Sequence, residues 1–544
     1  MVETLWGFES LLGHILAANK WSTCLFYLSL AQIDNGVVDI NERAQKILSL
    51  AINARKRGVS VLVTPELSLC GCPPNNAMLQ SSFLLACQRS IDWLCSSLPE
   101  DIAVTVGVPL PSKENASVVI GKGKIIHTIY QRHYDSSDIM HRSYYFKSSN
   151  SPSSPIMWNG LNILFMMEEE EAEEAKNCDL AILIRTCPFL RDHRIRDVAK
   201  NLAKQTMTPF VHINGIGGQD SFVFEGSSSG YNPNGECAFR FPSFKEDIQI
   251  LKIEKERILP QSISPSFLSD EEETVAALRA ALSNYCRQHR FSKIVLGVSG
   301  GVDSSVALCI AADALGPNNC HGLILPSRFN SSSSIADAQE LTQKVGCTTT
   351  TISIEPILKQ YESCMNITSG IAHENLQARI RAQIIMAYSN KYNALVINTS
   401  NKSEISVGYC TLYGDSIGGI ALISDLFKTE VYLLARWYRN VKGLISERII
   451  NKEPSAELRY NQMDTCSLPE YEKLDTIIRT YIETGSYPDD IPEQECMDVV
   501  GKFHQSEYKR RQLPLGPILS KRYCCSPTWP WPTYWPNIAG RNTE

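Results

Sequence analysis

The sequence predicts an α/β protein of two layered domains in tandem, the second of them a doubly wound parallel sheet. Three observations carry this expectation. The chain has 544 residues, well beyond one ordinary domain. Short runs rich in Val, Ile and Leu alternate with longer stretches of helical composition in both halves, as parallel strands linked by helices do. Between the halves, residues 260–269 are rich in Pro and Ser and run into Asp270-Glu-Glu-Glu, acids suited to the first turn of a helix. The expected division is an extension at 1–24, a first domain at 25–258, a second at 270–515 and an irregular Trp- and Pro-rich tail at 516–544.

The first domain opens with Leu25-Phe-Tyr-Leu-Ser-Leu-Ala and Val61-Leu-Val, two buried strands flanking a helical stretch at 41–56, which is a βαβ start. Further strands are expected at 102–108, 118–129, 161–167 and 180–184, and the domain closes after a glycine-rich turn at 215–218 and a turn-rich stretch at 231–235. In the second domain, strands at 293–298, 321–326, 349–354 and 394–398 alternate with helices, the signature of an open doubly wound sheet. No internal repeat is present.

Composition narrows the function. A formal net charge of −6 gives no global pull toward nucleic acid or an anionic membrane, so any phosphate binding must be local. Glu3, Glu9, His14 and Lys20 interrupt the moderately apolar first 29 residues, which excludes a signal segment or a span there. Several of the 18 cysteines, such as Cys24, Cys87 and Cys309, sit singly in apolar runs without metal-type spacing. They read as reduced core thiols of a cytoplasmic small-molecule enzyme.

The strand at 294–298 runs into Ser299-Gly300-Gly301-Val302-Asp303-Ser304-Ser305 and then an Ala/Leu helix. Small residues where a strand turns into a helix can cradle a phosphate: backbone N–H groups and the helix dipole attract the anion, and the hydroxyls add donors. Asp303 can hold Mg²⁺ beside a pyrophosphate. An ordinary tight turn would explain the glycines but not an acid among three serines. The motif lacks the lysine of the Walker loop and resembles that of the N-type ATP pyrophosphatases, which cleave ATP between its α and β phosphates and adenylate a substrate. GMP synthetase, asparagine synthetase and RNA-thiolating enzymes share that loop.

Later segments narrow the resemblance. Pro326-Ser-Arg-Phe-Asn-Ser, Glu374-Asn-Leu-Gln-Ala-Arg-Ile-Arg, Asn398-Thr-Ser-Asn-Lys-Ser-Glu, Gly408-Tyr-Cys-Thr-Leu-Tyr-Gly-Asp, Pro454-Ser-Ala-Glu-Leu-Arg and Glu507-Tyr-Lys-Arg-Arg-Gln resemble the NAD⁺ synthetase set in family order, from about 291 to 514. The resemblance implies ATP-dependent adenylation of deamido-NAD and amidation to NAD⁺, with AMP and diphosphate released. It implies ATP binding by residues 299–305, Thr399, Lys428 and Ser455, and a Mg²⁺ ion shared by Asp303 and Glu404. Contacts to deamido-NAD are implied for Asn375, Arg379, Glu404, Asp415 and Lys509, and a homodimer or larger assembly for the whole. Read singly, Arg379 and Lys509 could be surface charges, and Glu404 a capping acid after Asn401-Lys-Ser.

In the first half, Ala31-Gln-Ile-Asp, Thr64-Pro-Glu66-Leu-Ser-Leu-Cys-Gly-Cys-Pro-Pro and Gly217-Gly-Gln-Asp-Ser-Phe-Val-Phe-Glu-Gly resemble the nitrilase-type glutamine amidase domain of the two-domain, glutamine-dependent NAD⁺ synthetases. Such amidases use a glutamate base, an oxyanion lysine and a cysteine nucleophile. Glu66 stands in the base position. Tyr130-Gln-Arg-His-Tyr-Asp carries Gln131 or Arg132 where the lysine is expected, and Ile163-Leu-Phe-Met-Met-Glu168-Glu-Glu has no cysteine. Neither Cys178 nor Cys187 is expected to substitute. The glutaminase half-reaction is therefore expected to be lost and free ammonia to be the nitrogen source. The alternatives are a synthetase that hydrolyses glutamine through another group, a non-catalytic partner of an active homologue, and another adenylating ligase. The acidic run from Glu168 reads alternatively as a solvated helix start.

Overall fold

The computed structural model describes residues 25–36, 39–134, 138–191, 198–254, 257–260 and 268–524. The extension at 1–24, most of the linker at 260–269, and Trp529, Trp531 and Trp535 lie outside the described residues. The described residues fall into two compact units. One takes the chain through Cys187 with Ile195–Ile216 and Phe224–Ser266; the other takes Pro188–Arg194, Gly217–Val223 and the chain from Phe267 on. Two short segments of the expected first domain thus group with the second.

The first unit is built on two sheets. Seven strands lie in the order Arg257–Ile258, Asp247–Glu254, Phe26–Gln32, Val61–Val63, Ala103–Pro109, Asn115–Gly121 and Lys124–Tyr130. Its three middle strands pair in parallel and the outer ones antiparallel. The second sheet runs Cys237–Arg240, Ser229–Tyr231, Phe210–Ile213, Leu180–Ile184, Leu161–Met166 and Ile156–Trp158. Period-two alternation assigns each strand's side chains to two cores. Leu28, Leu30, Val61 and Val63 meet Ile163, Phe165, Ile182 and Val211 between the sheets. Leu164, Met166, Ala181 and Leu183 face outward onto Leu202 and Ala203 of the helix Val198–Thr206. Strands buried on both faces read as unbroken apolar runs, which is why they were legible.

The stretch expected as one strand at 118–129 is a hairpin. Lys122 and Gly123 turn the chain with φ of 53° and 73°, a left-handed pair that suits a two-residue connection. The run from Glu168 starts a 3₁₀ helix, Glu169–Asn177, that is solvated only in part: Glu170 is exposed, whereas Glu168 and Glu171 are buried.

In the second unit five strands pair in parallel, in the order Thr348–Thr351, Cys320–Ile324, Ile294–Gly297, Leu395–Asn398 and Ile420–Ala421. The doubly wound sheet expected from the sequence is present, with the two-residue strand Ile420–Ala421 added. Strand order reverses between Ile294–Gly297 and Leu395–Asn398, so a crevice opens at their carboxyl ends. The helices Tyr471–Thr484 and Glu493–Gln505 form a further core with Ile405 and Phe427, which fixes the short helix Lys402–Ser406 and the start of Lys428–Trp437 beside that crevice. Among the described residues no helix is long and apolar enough to cross a membrane, and the cysteines are free thiols.

The boundary expected at 515 falls too early. Leu519, Tyr523 and Cys524 are buried, and Lys402 Nζ, itself buried, donates to Asp425 Oδ1 at 2.8 Å, Ser520 Oγ at 3.0 Å and the Arg522 carbonyl at 2.9 Å. Asp425 also accepts from the Leu519 and Ser520 backbone at 2.7 and 2.8 Å. Polar contacts at scattered positions give no periodic signal, so this strap was not legible. Truncating Asp425 strands a buried ammonium. Asp425→Ala is expected to lower unfolding free energy by about 3–5 kcal/mol, read by chemical denaturation.

Candidate active site

The loop after Ile294–Gly297 leads into the helix Val302–Leu315, capped by Gly301. Gly300 has φ of 80°, and a Cβ there would lie 2.3 Å from the Ser334 carbonyl oxygen, so only glycine fits. Ser299 Oγ accepts from the Gly301 N–H at 3.2 Å and lies 3.1 Å from Ser304 Oγ, while Ser305 Oγ donates to the Gly301 carbonyl at 2.7 Å. Three hydroxyls therefore set the loop's shape, and a fourteen-residue helix points its positive end into the crevice. Ser299, Gly301, Val302, Asp303 and Ser304 line a cavity of about 310 Å³, with Thr399 and Ser455 in its wall.

Opposite the loop, one ammonium holds two carboxylates. Lys428 Nζ donates to Asp303 Oδ2 at 2.6 Å and to Glu404 Oε1 at 3.1 Å. Asn401 Nδ2 donates to Asp303 Oδ1 at 2.8 Å and caps the helix Lys402–Ser406 through the Glu404 N–H at 3.0 Å. Glu404 returns a weak capping bond from its other oxygen, 3.5 Å from the Asn401 nitrogen, so the capping and the site-facing readings both hold. Burial pushes the Glu404 carboxyl up to about 8, with Lys428 pulling it down and Asp303 adding to the rise. Burial works against the charge on Lys428, but Asp303 and Glu404 outweigh it and hold the ammonium above the ordinary lysine range.

The four other residues implied for the dinucleotide gather on the loop 408–415. Asn375 Oδ1 accepts from Thr411 Oγ1 at 2.7 Å, Arg379 Nε donates to the Leu412 carbonyl at 3.2 Å, and Lys509 Nζ donates to the Gly408 and Cys410 carbonyls at 2.6 and 2.8 Å. Desolvation by the surrounding protein raises the Asp415 carboxyl, although its surface stays open to the cavity, and it accepts from the Thr411 N–H at 2.6 Å. Asp415 lines the cavity; Asn375, Arg379 and Lys509 brace the loop from outside it.

Sequence reasoning missed four contributors. Asp464 lines the cavity and accepts from Tyr409 Oη at 3.0 Å and Tyr471 Oη at 2.8 Å. Arg381 also lines the cavity and donates to the Leu325 carbonyl at 2.9 Å and to Asn330 Oδ1 at 3.0 Å. Burial pushes its guanidinium down to about 10. Arg381 and Glu457 stood inside quoted segments but carried no distinguishing signal. Asn401 stood only as the residue from which the possible capping acid Glu404 was counted.

The first unit gathers a second polar cluster at three strand ends. Glu66 follows Val61–Val63 and is buried; its carboxylate accepts from Asn115 Nδ2 at 2.6 Å, Arg142 Nη1 at 3.2 Å and the Thr186 N–H at 2.7 Å. Arg142, which the sequence did not single out, is buried and also pairs with Asp138 at 2.8 Å; Glu66 and Asp138 outweigh the burial that opposes its charge. Gln131 Oε1 accepts from Asn115 Nδ2 at 2.8 Å, whereas Arg132 turns to Glu171 at 3.4 Å. Met167 is buried after Leu161–Met166. Glu168 Oε1 accepts from the Arg132 N–H at 2.8 Å and from the His133 N–H, and His133 Nδ1 lies 2.9 Å from Oε2. Ser153 donates through N and Oγ to Glu171 at 3.0 and 2.7 Å. Burial pushes the thiols of Cys178 and Cys187 up to about 11. Among the described residues no group of three or more His, Cys, Asp and Glu side chains is arranged to hold a metal.

Comparison with known proteins bears on both clusters. The family model described as carbon-nitrogen hydrolase matches residues 28–260, and the one described as NAD synthase matches 274–513. The glutamine-dependent NAD(+) synthetase of Synechocystis is 33% identical over 533 residues, covering 90% of this chain and 96% of that protein. The enzyme of the same name from Aquifex aeolicus is 35% identical over 552 residues, covering 91% and 97%. The structure of glutamine-dependent NAD+ synthetase from Acinetobacter baumannii in complex with adenosine diphosphate superposes with a TM-score of 0.75 at 28% identity, covering 92% of this chain and 97% of that one. A synthetase from Cytophaga hutchinsonii superposes at 0.78 with 19% identity, which speaks for the fold. The chain belongs to the glutamine-dependent NAD⁺ synthetase family, a ligase family that forms carbon–nitrogen bonds, here as a carbon–nitrogen hydrolase domain followed by an NAD synthase domain.

Proposed function

We propose that this chain makes NAD⁺ by adenylating the nicotinate carboxylate of deamido-NAD with ATP and aminating it with free ammonia. The observation that carries the reading is the Lys428–Asp303–Glu404 cluster facing the phosphate loop at the sheet's switch point. A carboxylate is a poor electrophile. Its oxygen attacks the α-phosphorus of ATP, the α–β bond breaks and diphosphate leaves; ammonia then adds to the acyl carbon and AMP leaves. Such chemistry asks the protein for alignment and charge stabilisation more than for covalent catalysis. The 299–305 loop and its helix end hold the phosphates, Lys428 offsets the charge that builds on them, and Thr399 and Ser455 complete the ATP contacts. Asp303 and Glu404 reach the same ammonium, and their hard oxygens are the groups that would hold Mg²⁺. Bound there, the ion would neutralise phosphate charge. Asp415 faces the deamido-NAD pocket, with Asn375, Arg379 and Lys509 shaping its loop.

Loss of glutaminase chemistry is supported by what surrounds Glu66. A general base needs a free lone pair toward a thiol, whereas Asn115 and Arg142 already occupy Oε1, and the Thr186 N–H with a 3.5 Å contact from Arg142 occupies Oε2. The strand-end position holds Met167, and the Glu168 carboxylate consumes two backbone N–H groups that could otherwise face an oxyanion. The competing reading, glutamine hydrolysis through another group, draws on the relatives' names and on Cys187, whose neighbour Thr186 bonds Glu66. Its thiol stays protonated at neutral pH, which disfavours it.

Purified protein given deamido-NAD, ATP and Mg²⁺ is expected to form NAD⁺ with ammonium and not with ammonia-free glutamine. Equal rates with glutamine would overturn the reading of Met167 and Glu168, and glutamate release lost in Cys187→Ala would identify the nucleophile. Lys428→Met is expected to slow diphosphate release by about 10²–10³-fold, the usual cost of removing one preorganised charge-stabilising donor. Gly300→Ala, which forces the loop off Ser334, is expected to raise KM for ATP and to weaken nucleotide binding in calorimetry.

A further inference from the structure

The segment 454–462 walls the cavity beside the phosphate loop, and one of its side chains is tied down more heavily than packing requires. Glu457 Oε1 accepts from Ser334 Oγ at 2.6 Å, Ser331 Oγ at 3.0 Å and Lys452 Nζ at 3.1 Å, and Oε2 accepts from Asn330 Nδ2 at 2.9 Å. Three of these donors, Asn330, Ser331 and Ser334, stand at the start of the helix Ser332–Val345, whose positive end adds to the attraction. The Ser334 carbonyl is the atom against which Gly300 of the phosphate loop packs. Glu457 therefore fastens the 454–462 segment to the turn of chain that also fixes the phosphate loop. Its backbone pays for the reach: Glu457 has φ of 48° and Asn461 of 54°, left-handed values that non-glycine residues keep only where their surroundings impose them.

Two further contacts fit this reading. Gln377 Nε2 donates to the Leu458 carbonyl at 2.8 Å, and the Asp464 N–H closes the base of the segment on the Pro454 carbonyl at 3.0 Å. Asn330 is oriented independently, because its Oδ1 accepts from the Ser327 N–H at 2.8 Å and from Arg381 Nη2 at 3.0 Å, leaving Nδ2 for Glu457. Ser455 accepts from the Glu457 N–H at 3.2 Å, so the position of Glu457 sets that of the cavity-facing hydroxyl.

We propose that Glu457 is a positioning residue whose carboxylate latches the 454–462 segment over the phosphate loop and so keeps water from the acyl-adenylate before ammonia arrives. The inference rests on the adenylating reading above. An acyl-adenylate reached by water forms a bond from the water oxygen to the acyl carbon and loses AMP, regenerating deamido-NAD and releasing protons. ATP is then spent without product.

The readout is the ratio of AMP to NAD⁺ formed from deamido-NAD, ATP and Mg²⁺ at saturating ammonium. The intact protein is expected to give a ratio near unity. Glu457→Gln removes the charge, and Asn330→Asp keeps the Oδ1 acceptor but turns a carboxylate onto Glu457; both are expected to raise the ratio several-fold and to speed tryptic cleavage after Arg459. Loss of folded protein lowers both products together and leaves the ratio at unity. A ratio that stays at unity in both variants while they make NAD⁺ at the rate of the intact protein overturns the latch and leaves the synthetase reading standing. An intact protein that makes no NAD⁺ overturns the synthetase reading and the latch with it.

Discussion

The shared ammonium of Lys428 is the interaction on which the second unit's site depends. Two half-buried carboxylates near one phosphate loop would repel each other and the incoming nucleotide; one buried lysine between them turns a liability into a fixed arrangement. The surplus negative charge is met by burial, which pushes Glu404 up to about 8, and by the capping contacts of Asn401. Asp303 comes from the helix after the first strand, Glu404 from the short helix after the fourth, and Lys428 from a helix start held by the second core. Only the reversal of strand order brings these three into one crevice.

The first unit presents the opposite balance. Glu66 also sits at a strand end among charged neighbours, yet Asn115 and Arg142 on Oε1, and the Thr186 N–H with a 3.5 Å contact from Arg142 on Oε2, occupy its oxygens. A buried carboxylate that must act needs an unfilled lone pair; one that only persists needs all of them filled. On the proposed loss of amidase chemistry, Arg142 explains why the unit retains Glu66, since removing it would leave a buried guanidinium with Asp138 alone.

Legibility followed the kind of signal each feature leaves. Strands buried on both faces left continuous apolar runs, and the phosphate loop left glycines and hydroxyls at fixed spacing, so both could be read directly. The hairpin at 118–129 was missed because Lys122-Gly123 is a weak turn signal between two apolar runs. Arg142, Asp464 and the 516–524 strap act through contacts far away in sequence, on residues whose types are common on any surface, and nothing local distinguishes them. Arg379 and Lys509 show the converse: their residue types suggested ligand contact, and their observed partners are carbonyls of the 408–415 loop.

That last difference bears on how such a site divides its labour. Three charges that face the cavity, Asp303, Glu404 and Lys428, hold one another, whereas Arg379 and Lys509 behind it hold backbone carbonyls. A cation spent on a carbonyl cannot also neutralise a phosphate, but it fixes the loop that presents Asp415 and Tyr409 to the cavity. Exposed long side chains lose entropy when they order, so loop bracing is affordable only where several bonds share one cation, as Lys509 does with Gly408 and Cys410. Arg379, with a single 3.2 Å bond, contributes less to the loop's shape and keeps four guanidinium hydrogens for other acceptors.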